Sequence, residues 1–177
     1  MGTKKKALLA AVLIAAPIVA NASTINYSAV DVSGTTWQYN YSITNSTQPS
    51  NIGEFTILFT LGQYSNLSVE ASPGNWSSIV AQPDPVLPAN GSFDTQALDL
   101  GLPPGGSQGG FSVRFTWLGQ GTPGAQTFNI VDPDTFSTLE AGSTIPMSPV
   151  PIPAAAWLML SSLGGLGVFA RKKQKAA

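Results

Sequence analysis

The sequence predicts an all-β protein whose middle folds as an antiparallel β-sandwich, Ig-like in topology. Three observations predict it. Apolar and polar residues alternate with period two over three long runs. Glycine- and proline-containing turn signals separate those runs and several weaker ones. Between Ser23 and Ser148 no stretch of about ten residues carries the apolar spacing of a helix. A signal helix before this region and one transmembrane helix after it complete the reading.

The elements follow in chain order. Ile25 to Val32 reads as the first strand, and Ser33-Gly34 as the tight turn after it. Trp37, Tyr39, Tyr41 and Ile43 share one face of the second strand, with Thr36, Gln38, Asn40 and Ser42 on the other. Phe55, Ile57, Phe59 and Leu61 repeat the pattern. Asn66 to Ala71, Trp76 to Ala81 and Ser92 to Leu98 are weaker strands, parted by Pro73-Gly74 and Asn90-Gly91. Phe111, Val113, Phe115 and Trp117 alternate with Ser112, Arg114 and Thr116. Ala125 to Val131 and Phe136 to Glu140 close the set. The strand-rich middle is bounded by turns and needs no helix, which favours two packed sheets.

Composition narrows the chemistry. The 177 residues include neither Cys nor His. That removes disulfides, thiol chemistry, zinc sites built on Cys or His, and His-based catalytic dyads and triads. Basic residues gather at the ends, as Lys4 to Lys6 and as Arg171, Lys172, Lys173 and Lys175. Between them Arg114 is the one cation against all 9 acidic residues. Such a surface repels phosphate, so no nucleic-acid partner is expected. A serine nucleophile has neither His nor a mid-chain Lys as its base. Nothing in the spacing of Glu54, Glu70, Asp84, Asp94 and Asp99 pairs two carboxylates for glycoside hydrolysis. The expectation is a non-enzymatic protein with no cofactor and no metal. Asp132-Pro133-Asp134 with Glu140 has the oxygen chemistry for Ca²⁺, but not the spacing of an EF-hand. It reads as a solvated turn. The aromatic stripe Trp37-Tyr39-Tyr41 reads as core, and Trp76, after Pro73-Gly74, as the better candidate for stacking on a sugar.

The two ends carry addresses. Residues 1–22 have the three parts of a secretory signal peptide. Met1 to Lys6 is the basic n-region, and Ala7 to Ala16 is an apolar h-region too short to span a bilayer. Ala20 and Ala22 place small side chains ahead of a cut before Ser23. This implies passage through the Sec translocon and a signal peptidase. Residues 23–145 are then the ectodomain, and 146–153 a proline-rich spacer. Residues 154–170 hold 17 residues without a charge. As a helix they reach about 25 Å, against a hydrocarbon core of about 30 Å. Residues 171–177 form a basic tail that the positive-inside rule keeps in the cytoplasm.

Val150-Pro151-Ile152-Pro153-Ala154, then Trp157-Leu158, then Gly164-Gly165-Leu166-Gly167, then Arg171-Lys172-Lys173 is similar to the PEP-CTERM sorting signal. It looks most like the V-P-L-P-A variant, with Ile152 where the founding motif has Glu. The resemblance covers about 25 residues. It implies a substrate of an exosortase, a membrane-embedded transpeptidase-like enzyme of Gram-negative bacteria that make exopolysaccharide. The sorting residues are then Val150, Pro151, Ile152, Pro153 and Ala154, with Arg171, Lys172, Lys173 and Lys175 as the basic stop. The protein would be held in the inner membrane as a precursor and passed to the cell surface or extracellular matrix. Tyr39 to Ser46 also resembles a strand common in bacterial Ig-like surface modules. The alternative function is a carbohydrate-binding module that ties exopolysaccharide to the cell surface.

Overall fold

The computed structural model describes residues 23–147. It has ten strands and, among the described residues, no helix. They are β1 (Thr24–Ser33), β2 (Thr36–Thr44), β3 (Glu54–Phe59), β4 (Tyr64–Ala71), β5 (Trp76–Ala81), β6 (Gly91–Ala97), β7 (Ser107–Trp117), β8 (Thr127–Val131), β9 (Thr138–Ser143) and β10 (Ile145–Pro146). Sheet I runs β10-β1-β2-β7-β4, and sheet II runs β5-β6-β3-β8-β9. Every pairing is antiparallel except β1 with β10, a parallel contact at Asn26–Ile145 and Tyr27–Pro146. The expected β-sandwich is therefore present.

Period two explains which side chains face inward. In β2, Tyr39, Tyr41 and Ile43 are buried, while Gln38, Asn40 and Ser42 are half-exposed. In β3, Phe55, Ile57 and Phe59 are fully buried. In β7, Phe111, Val113 and Phe115 meet them from sheet I. Aromatic rings interlock across this layer. Phe111 meets Phe55 edge-on at 5.1 Å between centroids, and Trp76 edge-on at 5.4 Å. Tyr39 stacks on Phe115 at 4.7 Å, and Phe59 meets Tyr64 edge-on at 5.0 Å. Edge-on and offset arrangements suit the ring quadrupole and add to plain burial.

The buried Tyr39 and Tyr41 hydroxyls of this core are paired. The Tyr39 hydroxyl donates to the Gly124 carbonyl at 2.7 Å, and the Tyr41 hydroxyl to Gln126 Oε1 at 3.0 Å. Gln126 is itself buried, and its Nε2 donates to the Gly124 carbonyl. Its backbone N–H donates to Thr144 Oγ1 at 2.9 Å. The loop before β8 is thereby tied to both β2 and the β9–β10 corner.

The chain crosses between sheets along both long sides. On one side Ser72 to Asn75 carry it from β4 to β5, and the Trp76 N–H donates back to Pro73 O at 2.9 Å. On the other side Thr144 links β9 to β10, and its N–H donates to Gln126 O at 2.8 Å. The β4 edge is broken by two register shifts and by Asn66 at φ 53°. Irregular, crossed edges discourage pairing with another chain.

Two expectations need correction. The last long strand does not begin at Phe136, which sits in a loop at φ 55°. Asp132 closes that loop: the Phe136 N–H donates to Asp132 O at 2.8 Å, and the Asp132 N–H to Ser137 O at 3.0 Å. Strand β9 therefore starts at Thr138. The pair β10 was not foreseen, because two residues show no period. Gly101, at φ +74°, closes the bridge between Ile52 and Leu102, where a side chain would strike the Ile52 carbonyl.

Truncation of Phe111 to Ala removes the ring shared by Phe55 and Trp76. It should cost about 3–5 kcal/mol, read as a lowered midpoint in urea unfolding; a loss under about 1 kcal/mol contradicts this core.

Burial holds the Tyr39 and Tyr41 phenols well above their ordinary value near 10, with Tyr64 reinforcing the effect at Tyr39 and Tyr39 reinforcing it at Tyr41. The folded chain keeps these protons where the unfolded chain releases them. Stability should therefore fall as pH rises past about 10. Phenolate absorbance should appear together with unfolding, and gradual ionisation of all tyrosines in a folded protein would refute this.

Candidate functional site

The outer face of sheet I carries polar side chains in register across its strands. Residues in register share a face, so Val30, Gln38, Arg114 and Ser68 form one row across four strands. Ser28, Asn40, Ser112 and Ala71 form the next, and Thr36, Thr116 and Ser65 another. Gln38 Nε2 donates to Asn40 Oδ1 at 2.8 Å, and Asn40 Nδ2 to Ser28 Oγ at 3.4 Å. Asn66 Nδ2 donates to Thr116 Oγ1 at 3.2 Å. Arg114 pairs with Glu70 at 2.7 Å, each side chain well exposed. Amides and hydroxyls both donate and accept, so this grid can exchange hydrogen bonds with a polyhydroxylated ligand. The outward positions of β2 and β7 were legible as the polar half of each alternation. The Arg114–Glu70 pair was not, because no local pattern aligns β4 with β7.

The aromatic candidates fall elsewhere. Tyr39 and Tyr41 are core, as expected. Trp76 is not a stacking platform: it is 4% exposed and wedged between Phe55 and Phe111. The turn Pro73-Gly74 brings it back inward at the start of β5 instead of presenting it to solvent. The exposed aromatic ring among the described residues is Phe136, on the Asp132 loop.

The carboxylates are dispersed. Glu54 is buried on the sheet II strand β3. Burial, and then the neighbouring charge of Asp94, hold its carboxyl above the usual range. Asp94 accepts from Thr56 Oγ1 at 2.6 Å. Asp84 accepts from the Val86 N–H at 2.7 Å, and Asp99 from the Gly101 N–H at 3.0 Å. The Asp132 carboxylate accepts the Asp134 and Thr135 N–H groups at 2.9 and 3.0 Å. Those bonds, Thr135 first, lower its pKa below the ordinary range. Glu140 points to a different set of partners. Among the described residues no three acids gather as a metal site.

Of the sequence-predicted site residues, Ser23 alone is described. It is 2% exposed, with its N–H facing Thr47 Oγ1 at 3.0 Å and Glu140 Oε1 at 2.8 Å. Ala20 and Ala22, the motif Val150 to Ala154, the membrane segment 154–170 and the basic stop at Arg171, Lys172, Lys173 and Lys175 lie outside the described residues. Several Asn residues stand in N-x-Ser/Thr triplets. Asn45 is removed from that group as a modification site, being fully buried with its Nδ2 donating to Ser50 O and Leu102 O at 3.0 Å.

No protein-family model and no curated protein matches the chain. Solved structures do. The chitin-binding domain of Chi18aC from Streptomyces coelicolor is similar at 14% identity and a TM-score of 0.41, over 65% of this chain and 97% of that one. A family 3b carbohydrate-binding module from Clostridium clariflavum is similar at 11% identity and a TM-score of 0.39, over 72% and 97%. A Vibrio harveyi GH20 exo-β-N-acetylglucosaminidase is similar at 8% identity and a TM-score of 0.37, over 73% of this chain and 19% of that enzyme.

Proposed function

We propose that this chain is an exported, non-enzymatic surface or matrix protein, whose Ig-like sandwich is delivered through the C-terminal sorting signal. The observation that carries the reading is where the sandwich lies in the sequence. Among the described residues its last strand ends at Pro146, just ahead of the motif at Val150. Pro149, Pro151 and Pro153 favour an extended backbone there, which suits the groove of a processing enzyme. On this reading the signal peptidase cuts before Ser23, the segment 154–170 stalls in the inner membrane, and Arg171 to Lys175 hold it there. An exosortase then acts at Val150 to Ala154, and the sandwich passes to the surface or the exopolysaccharide matrix.

A second reading gives the sandwich its own ligand, the polysaccharide of that matrix. The polar grid on sheet I favours it. Gln38, Asn40 and Arg114 present donors and acceptors on neighbouring strands, with Glu70 paired to the guanidinium. A flat array of this kind fits an extended glycan chain better than a single small sugar.

Intact-mass spectrometry of the protein from its host should give a chain that starts at Ser23 and ends near Pro153, and a full-length C-terminus in a strain without the exosortase. An identical C-terminus in both strains makes the tail a plain anchor.

For the glycan reading, affinity-gel retardation on the host's exopolysaccharide is the measurement. Replacing Gln38 and Asn40 together by Ala should weaken retardation about tenfold or more, at roughly 1 kcal/mol per lost hydrogen bond. Equal mobility of the wild-type protein with and without polysaccharide ends that reading.

A further inference from the structure

We propose that Thr47 and Glu140 form a cradle for the α-ammonium group of Ser23, which is created when the chain is cut before that residue. The inference rests on the signal-peptide reading above and adds a structural role for the cut.

Two features of the geometry lead to it. The first is a surplus of acceptors. A peptide nitrogen carries one hydrogen, yet the Ser23 nitrogen lies 3.0 Å from Thr47 Oγ1 and 2.8 Å from Glu140 Oε1. An ammonium carries three and satisfies both. The second is a carboxylate without a cation. Arg114 is the one basic side chain among the described residues, and it is paired with Glu70. Glu140 is served only by neutral donors. Its Oε2 accepts from Thr47 Oγ1 at 2.9 Å and from Gln48 Nε2 at 3.0 Å. The Ser23 hydroxyl shares a hydrogen bond with Thr47 Oγ1 at 2.8 Å. A half-buried carboxylate so arranged is complete except for a positive charge.

Cleavage supplies that charge at that atom. Hydrolysis of the Ala22–Ser23 bond adds one water. Its oxygen goes to the Ala22 carbonyl carbon, which departs as a carboxylate. Both of its hydrogens end on the Ser23 nitrogen, which becomes an ammonium. The new ion pair is short and held by neighbouring hydrogen bonds, the setting in which such pairs are strongest. It also joins the sheets. Ser23 leads into β1 and Thr47 follows β2, both of sheet I, whereas Glu140 lies in β9 of sheet II. Removal of the leader therefore fastens the two halves of the sandwich at one corner.

The test uses the full chain, expressed with export and purified in detergent. Four proteins are compared: wild type, Glu140→Gln, the cleavage-blocked Ala22→Leu, and the double variant. Mass spectrometry fixes each N-terminus. The processed forms are then treated at neutral pH with an amine-reactive reagent, and labelling at Ser23 is followed by peptide mapping. The wild-type amine should react about tenfold more slowly than that of Glu140→Gln, as a one-unit change in pKa gives. Glu140→Gln should also lower the melting temperature of the processed form more than that of the blocked form. Thr47→Val, which removes one acceptor and leaves the carboxylate, should give an intermediate labelling rate and serves if Glu140→Gln does not fold. An N-terminus at Ser23 with equal labelling rates, or with equal melting losses in both forms, overturns the cradle alone. An N-terminus elsewhere overturns the signal-peptide reading beneath it.

Discussion

The described fold depends on the ring layer between its two sheets. With no cysteine in the chain, the sheets are held together by what they bury. Phe111 stands at the centre of one half of that layer, against Phe55 and Trp76, and Tyr39 at the centre of the other, against Phe115 and Phe59. All four tyrosines of the sequence belong to this core. Each tyrosine adds a hydroxyl that must be satisfied, and Gln126 with Gly124 meets much of that need. The loop before β8 is consequently part of the core's chemistry, although its sequence reads as a turn.

That arrangement divides the labour of the domain. Most aromatic rings lie inside, and the outer face of sheet I carries mainly amides, hydroxyls and the Arg114–Glu70 pair. The outer face of sheet I therefore offers hydrogen-bonding groups rather than stacked rings. The carboxylates serve local ends: they close turns at Asp84, Asp99 and Asp132, hold Arg114 at Glu70, and gather the Ser23 corner at Glu140. Glu54 is the exception. It is buried beside Asp94, where its charge opposes the fold.

Most of the strand plan was legible in the sequence because alternation is a local property. The second, third and seventh strands were read from Trp37 to Ile43, Phe55 to Leu61 and Phe111 to Trp117, and the structure places them within a few residues of those limits. The errors occur where a distant contact decides. Trp76 looks exposed beside Pro73-Gly74, and its burial follows from Phe55 and Phe111, far along the chain in both directions. Phe136 is a local exception: it looks like the start of a strand, but the nearby Asp132 carboxylate captures the Asp134 and Thr135 N–H groups and turns the chain ahead of it. The Ser23 corner, like Trp76, was invisible because distant contacts make it: Thr47 and Glu140 are 24 and 117 residues away from Ser23. The motif Val150 to Ala154, read from the sequence as a sorting signal, lies outside the described residues.

Strand β10 has a mechanical meaning. It is two residues long, exposed, and the last strand among the described residues. Tension applied from the C-terminal side is borne first by its two pairings, at Asn26 and Tyr27. Their failure pays out slack of about 3.3 Å per residue, while β9 stays laced to β8 at five positions. The short clip thus acts as a strain relief: a pull on the chain beyond it opens these two pairings before it loads the ring layer.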